Sequence, residues 1–211
     1  MKITVVTPTI RPEGLSFVEN SLKKQTMAND IEWCFEINTT GKVDFNQAMN
    51  RMLKRAKAEL IVSLQDYIMI PPDAIEKLWD FYVENPNTFV TCPVGKTMDY
   101  KDIIYDWREH RKGTCEWQEW EIDFGSASLK ALKDIGGFDE SLDEYWGFDN
   151  CIVGKKAQIK GYTFACLPEN KAIAYDHNKN TKHPFLHLRN EIFYNNKLRE
   201  IESGDWVDYL K

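Results

Sequence analysis

The sequence predicts an α/β protein built on a mostly parallel sheet covered by helices. Two observations carry that expectation. Short apolar runs alternate with amphipathic stretches through the first half of the chain, and Gly or Pro punctuates the joints between them. A third observation bounds the size: 211 residues correspond to about one domain.

Each element follows in order. Residues 3–7 (ITVVT) read as a first strand, broken by Pro8 and Pro12 before a stripe of Leu15, Val18 and Leu22. A second strand is expected near 32–37, closed by the turn-forming Asn38, Thr39, Thr40 and Gly41. Phe45, Ala48, Met49, Met52, Leu53 and Ala56 then recur at helical spacing. A third strand, 60–64, ends in Gln65 and Asp66. Pro71 and Pro72 open a helix with the apolar face Ile75, Leu78, Trp79 and Tyr82, and a fourth strand is expected over 88–94. From 95 to 123 periodicity fails; a charged, aromatic stretch of that length reads as a binding loop or lid. Helical patterns return over about 127–135 and 149–160. From 186 on, Leu188, Ile192, Phe193 and Leu198 suit a helix that packs on the sheet or forms a dimer.

Composition excludes several classes. Lys plus Arg is 27 against 33 for Asp plus Glu, a net charge of −6, without the basic surplus that binding to phosphate backbones requires. The run His110, Arg111, Lys112 reads as a solvated face. No apolar run is long enough to span a membrane and the apolar opening is too short for a signal peptide, so a cytoplasmic location is expected. Five cysteines at scattered spacings, without a CxxC pair, read as reduced thiols. Of seven tryptophans, four (Trp107, Trp117, Trp120, Trp146) crowd into forty residues.

In an open α/β sheet ligands bind beyond the carboxyl ends of the strands, which nominates Thr7, Thr9, Asn38, Gln65 and Asp66. Neither GxGxxG nor GxxxxGK[ST] is present, which removes the main support for dinucleotide oxidoreductase and P-loop readings. Four blocks instead carry a resemblance: TVVTPTIRP with its following helix; VDFNQAMNRMLKRAKAELIVSLQDYIMIPPDAIEKLW; FGSASLKALKDIGGFDESLDEYWGFDN; and the late histidine in AYDHN. In order and spacing, over about residues 3–178, they resemble the inverting nucleotide-sugar glycosyltransferases of the GT-A fold, family 2 and its galactosyltransferase-like relatives.

The resemblance implies a single GT-A domain over 1–211, with a nucleotide-binding half (1–94), an acceptor half (95–178) and a C-terminal helical segment (179–211). It implies transfer from a nucleoside diphosphate sugar, a UDP-sugar first, to an acceptor hydroxyl. Asp149 is expected as the base that takes the acceptor proton, at a helix start whose dipole favours its ionised form; a plain helix N-cap is the alternative. The family's Glu-Asp pair falls on Asp149 and Asn150, so Asp143 or Glu144 stays open as the base. Thr7, Pro8, Thr9, Asn38, Asp66, Gly125 and Ser126 are expected around the donor, and Trp120 and Trp146 on the acceptor. A divalent cation, Mn²⁺ or Mg²⁺, is expected on Asp66 and His177, an imidazole with one carboxylate suiting Mn²⁺ better. Asp66 as a turn residue and His177 as a hydrogen-bonding loop residue are the alternatives. The family's metal motif carries two acids spaced one apart, whereas this chain reads Gln65, Asp66, Tyr67. That departure motivates a second reading, a nucleotide-sugar binding module without turnover. A zinc pair on His183 and His187 is disfavoured by the intervening Pro184. A nucleotidyltransferase would want a Gly- and Arg-rich phosphate loop that TPTIRP does not provide.

Overall fold

A computed structural model describes residues 1–38, 44–97, 102–111, 113–144, 147–175 and 184–211, with the side chains of 144 and 184–190 outside the description. The first three strands are β1 (Ile3–Thr9), β2 (Ile31–Ile37) and β3 (Leu60–Leu64), and β1 lies between the other two, parallel to both. β1 runs two residues beyond the expected 3–7. Its ladder with β3 stops at Val6, so Pro8, which has no N–H, interrupts nothing on that side. Strand alternation sends Ile3 and Val5 into one core and Val6 into the other. Helix α1 (Leu15–Leu22) covers the first face with Val18 and Leu22; α2 (Phe45–Arg55) covers the second with Met49, Met52 and Leu53. Both match the expected spacing.

After a short β4 (Ile68–Met69), helix α3 (Ala74–Glu84) starts two residues beyond the prolines, and Ile75 and Leu78 enter the first core. The fourth strand is not continuous. It divides into β5 (Thr88–Thr91) and β6 (Val94–Thr97) around Cys92 and Pro93. Proline cannot donate to a ladder, and here the chain leaves one sheet for another: β5 belongs to the large sheet, β6 to the small one. Short β7 (Ile104–Tyr105) and β8 (Gly113–Thr114) follow, then β9 (Phe124–Ser128), α4 (Leu129–Asp134), α5 (Asp149–Ile159), β10 (Thr163–Cys166), β11 (Ala172–Tyr175) and α6 (Pro184–Glu202). Among the described residues the large sheet is ordered β2-β1-β3-β9-β5-β10-β8 and the small one β4-β11-β6-β7. β9 runs antiparallel to both β3 and β5, while β1–β2, β1–β3 and β5–β10 pair in parallel.

Part of the apolar pattern of α6 turns inward. Phe193 and Leu198 pack with Leu142 and Ile152, against α5, while Ile192 faces outward. The chain end then closes on the glycine turn inside the third block: Tyr209 N–H donates to the Gly136 carbonyl at 2.9 Å. Gly136 and Gly137 both hold φ of 73°, a left-handed conformation that glycine adopts without strain, and a Cβ on Gly137 would lie 2.5 Å from Asn50 Oδ1.

Candidate active site

The site is assembled from the start of α2. Asn50, one face of that helix, accepts from Phe138 N–H (2.9 Å) and donates to the Phe138 carbonyl (2.9 Å), so the GGFDE turn is clamped to α2. The clamp brings the next acid into place. Asp143 is buried and accepts the backbone N–H groups of Asn46 (2.7 Å) and Gln47 (3.0 Å), the unpaired donors of α2's first turn. It is a cap supplied from 97 residues away, and both of its carboxylate oxygens are engaged by α2.

Asn46 connects the cap to Asp149. Its side-chain amide, 1% exposed, donates to Asp143 Oδ1 (2.9 Å) and to Asp149 Oδ1 (2.6 Å). Burial pushes the Asp149 carboxyl up to about 7; the Asn46 hydrogen bond and the helix N–H pull the other way, and Asp143 and Asp139 add repulsion. Asp149 opens α5 directly after Phe148, which holds φ of 70°. That conformation is strained for a bulky residue, and its ring is stacked on Tyr194 of α6 at 4.3 Å. Asn150, in the family's base position, donates to the Trp120 carbonyl at 2.9 Å and serves as a clamp.

Asn46→Ala is expected to raise the Asp149 carboxyl further, because it removes a hydrogen bond to the ionised form. The midpoint of the Asp149 titration, followed by carboxyl NMR, moves upward. A midpoint that stays in place would make Asn46 a purely structural residue.

At the carboxyl ends of β1 and β3, Thr9 and Asp66 meet. The Thr9 hydroxyl donates to Asp66 Oδ2, and its oxygen accepts Arg11 N–H at 2.7 Å. Arg11 Nη2 lies 2.8 Å from Asp66 Oδ1. Both carboxylate oxygens of Asp66 are therefore engaged. Gln65 and Tyr67 stand where the resemblance would place acids, and the Gln65 side-chain oxygen accepts the Tyr67 hydroxyl. A hard divalent cation wants several oxygen ligands, usually including free carboxylates. Among the described residues no group of three His, Cys, Asp or Glu side chains is placed to hold a metal. The donor set at Asp66 does not fit the expected Mn²⁺ or Mg²⁺. His177, its expected partner, lies outside the described residues, as do Trp146, His183 and Thr39 to Gly41.

The remaining donor candidates divide. Thr7 is buried, its hydroxyl accepting the Trp33 indole N–H at 3.1 Å. Pro8 is half-buried beside it. Asn38 N–H donates to the Thr9 carbonyl at 2.8 Å and its amide donates to Asp44, which Arg51 also contacts at 3.1 Å. Asp44, which the sequence reading did not nominate, thus lies beside Asn38 near the end of β2. Gly125 and Ser126 lie inside the sheet, in β9 between β3 and β5. A Cβ on Gly125 would come within 2.6 Å of the Glu121 carbonyl and 2.8 Å of the Val90 carbonyl, so backbone neighbours require the glycine. Trp120 is 2% exposed, its indole N–H bonded to the Val90 carbonyl at 3.0 Å and its ring set edge-on to Phe89. It is a core anchor, which corrects the acceptor-platform expectation.

Two groups in the irregular segment were not visible in the sequence. Arg108, 2% exposed, makes paired hydrogen bonds to Asp123 (2.8 and 2.9 Å), contacts Asp106 and donates to Thr91 Oγ1 at 2.8 Å. These carboxylates hold its guanidinium charged despite burial. Glu121 is pushed up to about 7 by burial and by Asp123, against the pull of Arg108. The Cys151 thiol of α5 is pushed up to about 11, by burial first and then by Glu121, with Asp149 adding less; both carboxyls thus bear on the first turn of α5.

No family model matches the chain, and no curated protein matches it. Among solved structures it is similar to S. aureus TarS. For TarS 1-349 in complex with UDP-GlcNAc the TM-score is 0.64 at 14% identity, over 85% of this chain and 60% of that one. For TarS 1-349 in complex with UDP the values are 0.69 and 14%, over 93% and 65%. For a longer TarS chain they are 0.66 and 15%, over 83% and 37%. The chain therefore spans less than two thirds of the length of each. The likeness at this identity concerns architecture: a helix-flanked α/β sheet of the GT-A type, which this protein shares with TarS.

Proposed function

We propose that this chain is an inverting glycosyltransferase, similar to family 2, that moves a sugar from a uridine diphosphate sugar to an acceptor hydroxyl. The observation that carries the reading is Asp149, a carboxyl at about 7 held by Asn46 at the start of α2. That helix follows β2, so its first turn lies at the same carboxyl edge of the sheet as Thr9 and Asp66. This edge is where ligands of open α/β sheets bind. The GT-A architecture supports the donor class, since TarS was solved with UDP and with UDP-GlcNAc.

The chemistry follows from a carboxylate near neutral. The acceptor oxygen attacks the anomeric carbon from the face opposite the diphosphate, Asp149 takes the hydroxyl proton, and the carbon–oxygen bond to the diphosphate breaks. One displacement inverts the anomeric centre. A base with a pKa near the working pH combines a usable ionised fraction with a real driving force for proton transfer.

A thermal-shift panel of nucleoside diphosphate sugars, followed by UDP release and NMR of the product anomer, tests the reading. One donor is expected to bind saturably and yield product of inverted configuration. Retained configuration overturns the mechanism, and no binding across the panel overturns the donor class. Donor binding without UDP release for any acceptor would instead favour the non-catalytic module, whose motive is Gln65, Tyr67, Asn38 and Asn150 in the positions of family acids.

A further inference from the structure

The Asp66 cluster does not fit a divalent cation, yet a leaving diphosphate needs positive charge. The chain supplies one at the same place. Arg11 has five N–H donors in a fixed fork, and a single guanidinium nitrogen is spent on Asp66. The other guanidinium N–H groups have no hydrogen-bond acceptor among the described residues. The side chain is 20% exposed where its carboxylate partner is 5% exposed, so the part of the fork not spent on Asp66 reaches solvent. The Tyr67 ring lies 5.0 Å from the guanidinium carbon, and the Arg11 backbone is tied to Thr9. The chain cannot easily back away: a Cβ on Gly14 would sit 2.5 Å from the Asp66 carbonyl oxygen, so the entry to α1 is pressed onto the end of β3.

We infer that Arg11, oriented by Asp66, Thr9 and Tyr67, binds the diphosphate of the donor in place of a divalent cation. Asp66 then acts as a positioning residue, turning one edge of the guanidinium toward itself and the other toward the phosphates. Guanidinium geometry matches two phosphate oxygens at once. In the transfer the bond from the anomeric carbon to the β-phosphate oxygen breaks and its electron pair stays on that oxygen, beside Arg11. The acceptor oxygen forms the new bond and its proton goes to Asp149, so no further reactant is needed.

The inference rests on the donor reading above and is tested with UDP and uridine as separate probes, by calorimetry with EDTA or with Mn²⁺. The full chain is expected to bind UDP equally well in both. Arg11→Ala in EDTA is expected to weaken UDP about tenfold or more while leaving uridine affinity unchanged, because only the diphosphate contact is lost. Arg11→Lys, which keeps the charge and loses the fork, is expected to recover part of the loss and remains available if the alanine variant does not fold. UDP affinity that needs Mn²⁺ in the unaltered chain, or that survives Arg11→Ala in EDTA, overturns the inference and leaves the donor reading standing. If the unaltered chain binds neither UDP nor uridine under either condition, the donor reading fails and takes this inference with it.

Discussion

Asp149→Asn is expected to lower transfer by about 10²- to 10⁴-fold, the range over which a general base contributes, while UDP binding stays unchanged. The amide keeps the size of the carboxyl and can still face Asn46, so the first turn of α5 and the cap of α2 survive. What disappears is the acceptor for the hydroxyl proton. The same variant makes a separate prediction for stability. A carboxyl near 3.9 when unfolded and about 7 when folded leaves the native state holding more protons between those values. Stability then falls as pH rises from about 4 to about 7. The asparagine has no such penalty. Its melting temperature should equal that of the unaltered protein near pH 4 and exceed it above pH 7. Unchanged turnover would remove Asp149 from the mechanism, and a pH-independent difference in melting temperature would contradict its burial as a charge.

Arg108→Leu is expected to be the most destabilising single change. The guanidinium is buried and holds two carboxylates, Asp106 and Asp123, each only about a quarter exposed. Removing one member of such a set leaves the others uncompensated, at about 3 kcal/mol, the lower end of the usual range because both acids reach some water. For a domain of this size that lowers the melting temperature by roughly 6–12 °C. Arg108→Lys should rescue little, since one ammonium cannot reproduce the paired bonds to Asp123 and the bond to Thr91 together. A melting temperature within about a degree of the unaltered protein would mean that the irregular segment does not depend on this residue.

The elements that could be read from the chain are those whose own period reports their surroundings. β1, β2, β3, α1 and α2 were legible because one-sided burial writes a period of two or 3.6 into the residues. β10 and β11, four residues each, were too short for a period to show. The interruption at Pro93 was misread as strand because its meaning depends on a second sheet that forms only when β11 arrives beside β6. Trp120 illustrates the same limit in the site. An indole in a charged, aperiodic stretch looks like a ligand platform until the Val90 carbonyl is found beneath its N–H.

Asp149 and Asp66 could be nominated from the chain, because one opens a helical pattern and the other ends a strand, and those positions imply a carboxyl edge. Their partners could not. Arg11 lies 55 positions from Asp66, Asn46 lies 103 from Asp149, and Asp143 caps a helix 97 residues earlier. Local pattern is a property of neighbours along the chain, whereas hydrogen-bond and charge partners are chosen by proximity after the sheet has folded. Architecture, and the acids that reach the carboxyl edge of the sheet, are therefore present in the order of residues. Which acid is a cap, which is held near neutral and which is already paired with an arginine is set by contacts that exist only in the packed molecule.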